Sequence, residues 1–250
     1  MTMRVAVAGG TGLTGRHVVA ELERAGHEPV VLSRAAGVDL TDGSGLDAAL
    51  AAADAIVDVT NIATQKRSTA VDFFGTVGRT LLSGAERAKV RRIVSLSIIG
   101  IDDVDSGYYE GKRVQEDVLR NGSVPWTILR AAQFHEFTDQ VLGFVPGPVA
   151  VVPKMLSQPI AVREVAAALV ARLDDSGSAM ATEIAGPKPE FQPDLARRLL
   201  RARGSRRLVL PVRMPGEAGK AMVGGALLPK HEFVQGVQTF DEWLAERTRV

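Results

Sequence analysis

Four glycines and three side chains in this chain have the types and spacing for chemistry. Gly9, Gly10, Gly12 and Gly15 fall close together in AVAGGTGLTGRHVV, between two apolar runs. A turn of this kind sets bare backbone N–H groups, and the positive end of the helix that follows, against a phosphate. Ser97 closes the apolar run RIVSLS, and Tyr108-Tyr109-Glu110-Gly111-Lys112 comes shortly after it. Tyr108 and Lys112 are i and i+4, so they share one face of a helix. A phenol with a reference pKa of about 10 exchanges protons poorly at neutral pH, and a nearby ammonium favours the phenolate and lowers that value. A serine hydroxyl beside them can hydrogen-bond a carbonyl or hydroxyl oxygen. Together the three could move a proton while another group moves a hydride.

These residues need a frame. Arg4–Ala8 (RVAVA), Glu28–Ser33, Ala55–Val59, Arg92–Ser97 and Pro125–Arg130 read as strands. Leu13–Ala25, Leu46–Ala53, Ala70–Ala88 and Tyr108–Arg120 read as helices between them. Strands separated by helices of this length predict right-handed βαβ crossovers and a parallel sheet covered on both faces. Ligands of such sheets bind beyond the carboxyl ends of the strands. Later in the chain, Gly143–Pro159 carries four prolines and two glycines and reads as irregular. Val162–Leu173, Asp194–Ala202 and Thr239–Arg247 read as helices, Ala181–Ala185 as a strand joining the main sheet, and Arg207–Leu210 as a short strand. The expected fold class is α/β: a Rossmann-type doubly wound parallel sheet with a small C-terminal α/β substrate-side lobe. Residues 1–145 form the nucleotide-binding core. Residues 146–250 form a C-terminal substrate-side segment that partly returns to the sheet, so the whole reads as one integrated domain.

Within that frame, Gly10-x-Gly12-x-x-Gly15 follows a strand directly and opens a helix, which gives an otherwise weak pattern its meaning. One glycine permits the tight turn, the next lets backbone approach a pyrophosphate, and the third permits close helix–strand packing. Gly10, Thr11, Gly12, Leu13, Thr14 and Gly15 form the candidate cradle, with hydroxyl donors from the two threonines. A glycine-rich turn without a ligand is the competing reading. The second strand ends in Ser33-Arg34, where an acidic residue would grip the ribose 2′-hydroxyl of NAD. A guanidinium suits a 2′-phosphate, so NADP is favoured over NAD; the alternative is an ordinary loop arginine. Asp39 is a candidate for the adenine edge and equally a turn or cap residue.

The chain resembles an atypical short-chain dehydrogenase/reductase of the NmrA-like NAD(P)-binding group, whose members are described as NAD(P)H-binding or quinone-oxidoreductase-like. The matching pieces are AGGTGLTG, the SR at the end of the second strand, VDLTD, RIVSLSIIGID, YYEGKRVQED and VPWTILRAAQFHEF, with QPIAVREVA, EIAGP and TFDEWL further on. The resemblance covers nearly the whole chain and is specific for fold and nucleotide binding, much less for substrate. It implies Gly10, Gly12 and Gly15 at the pyrophosphate, Arg34 at the 2′-phosphate and Asp39 at adenine. It implies Ser97, Tyr108 and Lys112 as the catalytic serine, tyrosine and lysine, with Lys112 also holding the nicotinamide ribose and Phe134 near the nicotinamide. Where typical short-chain dehydrogenases carry Asn-Ala-Gly, this chain has Thr60-Asn61-Ile62-Ala63, which offers no support for a full proton relay. Some NmrA-like proteins bind dinucleotide and regulate partners without turnover. The expected function is therefore an NADP-dependent oxidoreductase transferring hydride to or from a small carbonyl, quinone or related substrate. The alternative is a non-catalytic NADP(H)-binding redox sensor that docks on a regulator. An epimerase or dehydratase stands third, because the C-terminal half is short for a nucleotide-sugar lobe.

Composition limits the other classes. The chain of 250 residues is 46% hydrophobic, enough to bury a substantial core. It has no cysteine, which excludes disulfides, thiolate zinc sites and a cysteine nucleophile. Its four histidines, at 17, 27, 135 and 231, show no metal-ligand spacing, and no metal is expected. His135, beside Phe134, is a candidate to touch substrate. A formal charge of +1 gives no support for a nucleic-acid-binding face. The six arginines between Arg197 and Arg207 read as a solvated helix face with a charged turn, or as an anion contact. Asp241-Glu242-Trp243-Leu244 reads as a helix that docks Trp243 and Leu244. The opening Met1-Thr2-Met3-Arg4 leads straight into a short apolar run without a signal-peptide pattern, and no apolar stretch is long enough to span a bilayer. A soluble cytoplasmic protein acting on a small molecule, with neither nucleic acid nor membrane as partner, is the expectation. The oligomeric state is left open.

Overall fold

The strand RVAVA has no polar side chain after its first residue, the pattern of a strand covered on both faces. Val5, Ala6, Val7 and Ala8 are all fully buried. The computed structural model of the protein describes residues 1–248. In chain order its first elements are β1 (Arg4–Ala8), α1 (Leu13–Arg24), β2 (Glu28–Leu32), α2 (Leu46–Leu50), β3 (Ala55–Asp58) and α3 (Arg67–Ala88). They are followed by β4 (Arg92–Ile98), α4 (Gly107–Arg120), β5 (Trp126–Ala131), α5 (Phe137–Gly143), β6 (Val149–Pro153) and β7 (Leu156–Ser157). Next come α6 (Val162–Val170), β8 (Ala179–Met180), β9 (Glu183–Ala185), β10 (Glu190–Phe191) and α7 (Gln192–Ala202). The chain closes with β11 (Leu208–Val212), α8 (Gly216–Val223), β12 (Phe233–Gln235) and α9 (Phe240–Thr248).

Two compact units interleave along the sequence. The first holds Met1–Ser97, Ser106–Arg130 and Val162–Ala181; the second holds Ile98–Asp105, Ala131–Ala161 and the chain from Thr182 onward. The division therefore differs from a single boundary at residue 145. The helix α6 belongs with the first unit because its apolar face, Val162, Val165, Ala166 and Leu169, is buried there and packs on α1. In the first unit the strand order is β2-β1-β3-β4-β5, with β8 pairing β5. The pairs β1–β2, β1–β3 and β3–β4 are all parallel. Leu32, Leu46, Leu50, Ile56, Leu81 and Ile93 build the core on one side of this sheet. The expected parallel α/β sheet is what the structure shows.

In the second unit, Ala131 at the end of β5 pairs with Ile184 of β9, and β9 pairs with β12. The strands β6 and β11 form a parallel pair, and β7 and β10 an antiparallel one. The stretch Gly143–Pro159 is thus not irregular throughout, because it contains β6 and β7. Its prolines do not interrupt β6: Pro148 precedes that strand and Pro153 ends it, where a missing N–H is tolerated. Val152, Leu195, Leu199, Phe240 and Trp243 form the core of this unit. Trp243 docks as its motif suggested, with Nε1 donating to Glu136 Oε1 at 2.9 Å. Among the described residues no helix is long and apolar enough to cross a membrane.

Candidate functional site

The chain turns as soon as β1 ends. Gly9 has a φ of 81° and lies so close to the end of β3 that a Cβ would stand 2.8 Å from the Val59 carbonyl oxygen. A Cβ on Gly10 would meet Val31 Cγ1 of β2 at 2.9 Å. One on Gly15 would overlap the Gly9 carbonyl oxygen and lie 2.5 Å from the Gly10 Cα. Packing alone therefore demands these three glycines. Gly12 is different, since a Cβ there would meet only the Gly9 carbonyl oxygen, at 3.2 Å, with open space beyond. Gly12 is also the N-cap of α1, with no side-chain cap and no acidic residue in the first helical turn. The turn is braced from within by Gly12 N–H to the Gly9 carbonyl (2.9 Å) and by Arg16 Nη1 to the Thr11 carbonyl (2.9 Å). The result is a rigid, uncapped helix N-terminus beside bare backbone, which suits negative charge. These residues fit a pyrophosphate.

The end of β2 leads into a short 3₁₀ turn, where Ser33 Oγ accepts the Ala36 N–H at 3.3 Å. Arg34 opens that turn, is exposed, and makes no ion pair among the described residues. Asp39 serves a turn of its own. Its Oδ1 accepts from the Thr41 hydroxyl at 2.6 Å and from the Thr41 N–H at 2.8 Å. These two bonds hold its carboxyl below the usual aspartate range.

The carboxyl ends of β3 and β4 carry a buried polar network. Asp58, the last residue of β3, is 1% exposed. Its Oδ1 accepts from the Thr60 hydroxyl (2.7 Å) and N–H (3.0 Å), and its Oδ2 accepts from Gln115 Nε2 at 2.5 Å. Gln115 Oε1 accepts from Lys112 Nζ, which also donates to the Leu96 carbonyl at 2.6 Å. The same ammonium lies 4.9 Å from the Phe74 ring centroid. A buried cation is tolerable here because acceptors and a π face surround it. Burial nevertheless pulls its pKa down to about 8, against the opposing pull of Asp58 and Glu116. Because Gly9 packs on Val59 and Thr60, the network joins the glycine turn to the strand that carries Ser97. Ser97 Oγ is buried and has no hydrogen-bond partner among the described residues. Leaving such a hydroxyl unpaired costs about 1–3 kcal/mol, which an oxygen-bearing ligand would recover.

Asp58 and Gln115 were not singled out from sequence, although both left a trace. Asp58 is an acid closing the otherwise apolar strand AIVD, and Gln115 lies three residues after Lys112 on the same helix.

Tyr108 stands on α4 but does not meet the Lys112 ammonium. Its hydroxyl donates to Asn61 Oδ1 at 2.7 Å, and its ring packs edge-on against Phe74, centroids 5.6 Å apart. Burial, and secondarily Tyr109, push its pKa upward. That direction is opposite to the one expected from the Tyr-x-x-x-Lys spacing. The reason is geometric, since the ammonium is engaged by Gln115 and the Leu96 carbonyl. The tyrosine's partner comes instead from Thr60-Asn61-Ile62-Ala63, the stretch that departs from the family pattern.

In the second unit, Phe134 forms an isolated parallel bridge with Ile160. His135 is fully buried, 5.6 Å from the Phe240 ring and 5.7 Å from the Trp243 ring, with Nε2 3.2 Å from the Gln238 carbonyl oxygen. It is a core residue, which corrects the expectation of substrate contact. In the arginine run, Arg197 pairs with Asp194, Arg198 with Glu190 and Asp241, and Arg203 with Asp139. Arg201 and Arg206 are exposed and have no ion pair among the described residues.

A family model described as NAD(P)H-binding matches residues 9–176. No curated protein matches the sequence. Among solved structures, the chain is similar to an NADPH-dependent quinone oxidoreductase from Escherichia coli complexed with NADPH, with a TM-score of 0.73 and 16% identity over 97% of this chain and 99% of that one. It is similar to UDP-N-acetylglucosamine 4-epimerase from Bacillus cereus, with a TM-score of 0.71 and 18% identity over 99% of this chain and 97% of that one. It is also similar to a short-chain dehydrogenase/reductase superfamily protein from Agrobacterium tumefaciens with bound NAD, with a TM-score of 0.71 and 17% identity over 98% and 96% of the two chains. At these identities the likeness establishes the Rossmann-like fold.

Proposed function

Because the chain belongs to the NAD(P)H-binding family, we propose that it is an NADP-dependent oxidoreductase of the atypical short-chain dehydrogenase type, acting on a small carbonyl, quinone or related substrate. The observation that carries this reading is the path from the glycine turn through Asp58, Gln115 and Lys112 to the unpartnered Ser97 hydroxyl. The glycine turn, Asp58 and Ser97 lie at the carboxyl ends of β1, β3 and β4, where ligands of such sheets bind, and Gln115 and Lys112 reach in from α4. In this reading Gly10, Thr11, Gly12, Leu13, Thr14 and Gly15 receive the pyrophosphate. Arg34 holds the 2′-phosphate by charge-assisted hydrogen bonds, and Asp39 lies toward the adenine. Lys112 holds the nicotinamide ribose, and Phe134 keeps the role beside the nicotinamide that the family resemblance implies. The dinucleotide supplies hydride chemistry when bound. Ser97 orients the substrate oxygen, and Tyr108 exchanges a proton with it after its hydroxyl leaves Asn61.

Two observations favour a second reading. Tyr108 is hydrogen-bonded to Asn61 with its pKa raised, and Lys112 is engaged inside the protein. A redox sensor that binds NADP(H) without turnover needs nothing more. Thermal shifts with NADP(H) and NAD(H), followed by NADPH oxidation across carbonyls and quinones, separate the readings. Stronger stabilisation by NADPH together with its consumption supports the oxidoreductase. Stabilisation without consumption on any substrate supports the sensor, and equal stabilisation by NADH overturns the assignment of Arg34.

A further inference from the structure

In the second unit, β6 and β11 pair Leu208 with Val149, Leu210 with Val151 and Val212 with Pro153. Alternation puts these six residues on one face of the sheet, and Ala150, Val152, Val209 and Pro211 on the other. The latter is the core face: Ala150 and Val152 are buried, and Val209 packs against the cluster that holds Leu195 and Leu199. A sheet face in water ordinarily carries polar residues. Here all six outward positions are apolar, with Leu208 70% and Leu210 51% exposed. Arg207 donates to the Leu142 carbonyl (3.0 Å) and the Val145 carbonyl (2.6 Å), and Leu208 N–H donates to the Pro148 carbonyl. These bonds tie the exposed Phe144 and Val145 to the start of β11. The apolar surface is therefore held in place by hydrogen bonds, and both strand sequences read as covered on two faces.

Charge and shape indicate what covers it. Arg206 precedes β11, Arg213 follows it, Lys154 follows β6, and Arg201 lies on α7. All four are exposed, and none has an ion pair among the described residues. No acidic residue occurs from Leu195 to Gly216. A second copy of this chain would bring these cations against one another. The inner face of the same two-stranded sheet is packed by α7, so the sheet's twist already accommodates a helix on one side. Five-residue strands give a face about 15 Å long, about three turns of helix.

We propose that the outer face of the β6–β11 sheet docks an amphipathic helix of a partner protein, one whose apolar stripe is flanked by acidic residues. This is independent of the dinucleotide reading. The test titrates two synthetic helical peptides of about 14 residues into the full chain, followed by fluorescence anisotropy. Both carry a leucine stripe, flanked in one by glutamates and in the other by lysines. The glutamate peptide is expected to bind at least about tenfold more tightly and to weaken as salt rises. Leu208→Asp should weaken it by about tenfold or more, and Arg206→Glu with Arg213→Glu severalfold. Leu208 is exposed, so its variant should keep the wild-type Tm; Leu210→Ser provides a second, milder variant. Equal affinity for the two peptides, no binding of either, or insensitivity to both leucine variants overturns the proposal. Leu208-dependent binding to phosphatidylcholine vesicles containing phosphatidylglycerol, in preference to the glutamate peptide, reassigns the face to a membrane. Leu208-dependent dimerisation in sedimentation reassigns it to a second copy. Either result also overturns the proposal.

Discussion

The glycine turn and the helix that carries Tyr108 and Lys112 both begin as short motifs, yet they end in opposite states. At Gly9–Gly15, packing uses up the backbone's freedom but leaves the α1 terminus uncapped and the space beside Gly12 clear. On α4 the polar groups are already engaged: Lys112 by Gln115, Tyr108 by Asn61, and Glu110 by Arg67 and Arg113. The difference has a physical origin. A site made of backbone can be complete when the chain folds. A relay made of side chains is drawn into the protein's own hydrogen bonds, because buried donors left unpaired are costly. If the chain is the proposed oxidoreductase, binding is then ready-made and turnover requires rearrangement.

The sharpest way to break that contrast is at Tyr108. Tyr108→Phe removes the proton and the Asn61 bond together, so kcat for NADPH oxidation should fall by about 10²–10⁴. The NADPH Kd from titration should stay within about threefold, because the proposed pyrophosphate contacts of the glycine turn are untouched. An unchanged kcat would remove Tyr108 from the mechanism.

A paired substitution comes next. Gly15→Ala puts a methyl into the Gly9 carbonyl and should cost at least about 1–3 kcal/mol, read as a lowered Tm. Gly12→Ala puts a Cβ 3.2 Å from the Gly9 carbonyl oxygen, a milder contact that should lower Tm much less than Gly15→Ala, yet weaken NADPH binding by about tenfold or more. If both variants lose stability and neither loses affinity selectively, Gly12 is a packing glycine like the others.

Lys112 sets a pH window. Its pKa falls from the ordinary 10.5 to about 8 on burial, so between these values the folded chain holds fewer protons than the unfolded one. Stability should therefore rise as pH is raised from about 8 toward 10, by at most about 3 kcal/mol. Lys112→Met should abolish that rise in denaturant titrations at pH 8 and pH 10. The upward shift of Tyr108 acts above its ordinary value of 10.0 and in the opposite sense, which is why the comparison stops there.

The smallest effect belongs to Arg34. Arg34→Ala should raise the Kd for NADPH by about tenfold, the scale of one charge-assisted hydrogen bond, and leave that for NADH unchanged. Equal losses for the two nucleotides would remove the 2′-phosphate from its role.

Much of the first unit was legible because its signals are local. RVAVA, AIVD and RIVSLS are apolar enough to be buried strands wherever they fall, and the glycine pattern needs only its flanking strand and helix. The polar network was not legible, because its partners are far apart in sequence. Gln115 reaches Asp58 across 57 positions, and Tyr108 reaches Asn61 across 47. The i, i+4 spacing placed Tyr108 and Lys112 on one helix face correctly. It did not say where each side chain ends, which the neighbouring strands decide. Other short strands of the second unit were missed for a related reason, although β9 and β11 fall on the strands expected over Ala181–Ala185 and Arg207–Leu210. Two- and three-residue segments such as β7, β10 and β12 have no periodicity and exist only through their pairing partners. The interleaving of the two units, with α6 returning to the first, likewise depends on which face α1 leaves open.

The close approach of Gly9 to Val59 and Thr60 carries one more consequence. The positions on either side of that contact cannot vary independently. Any side chain at 9 would push on the segment that orders Asp58, and a shift of 59–60 would reopen the turn. A saturation library covering residues 9 and 59–61 together should show strong epistasis, with bulk at position 9 tolerated only alongside compensating changes opposite it. The glycine turn and the lysine pocket would then evolve as one heritable block.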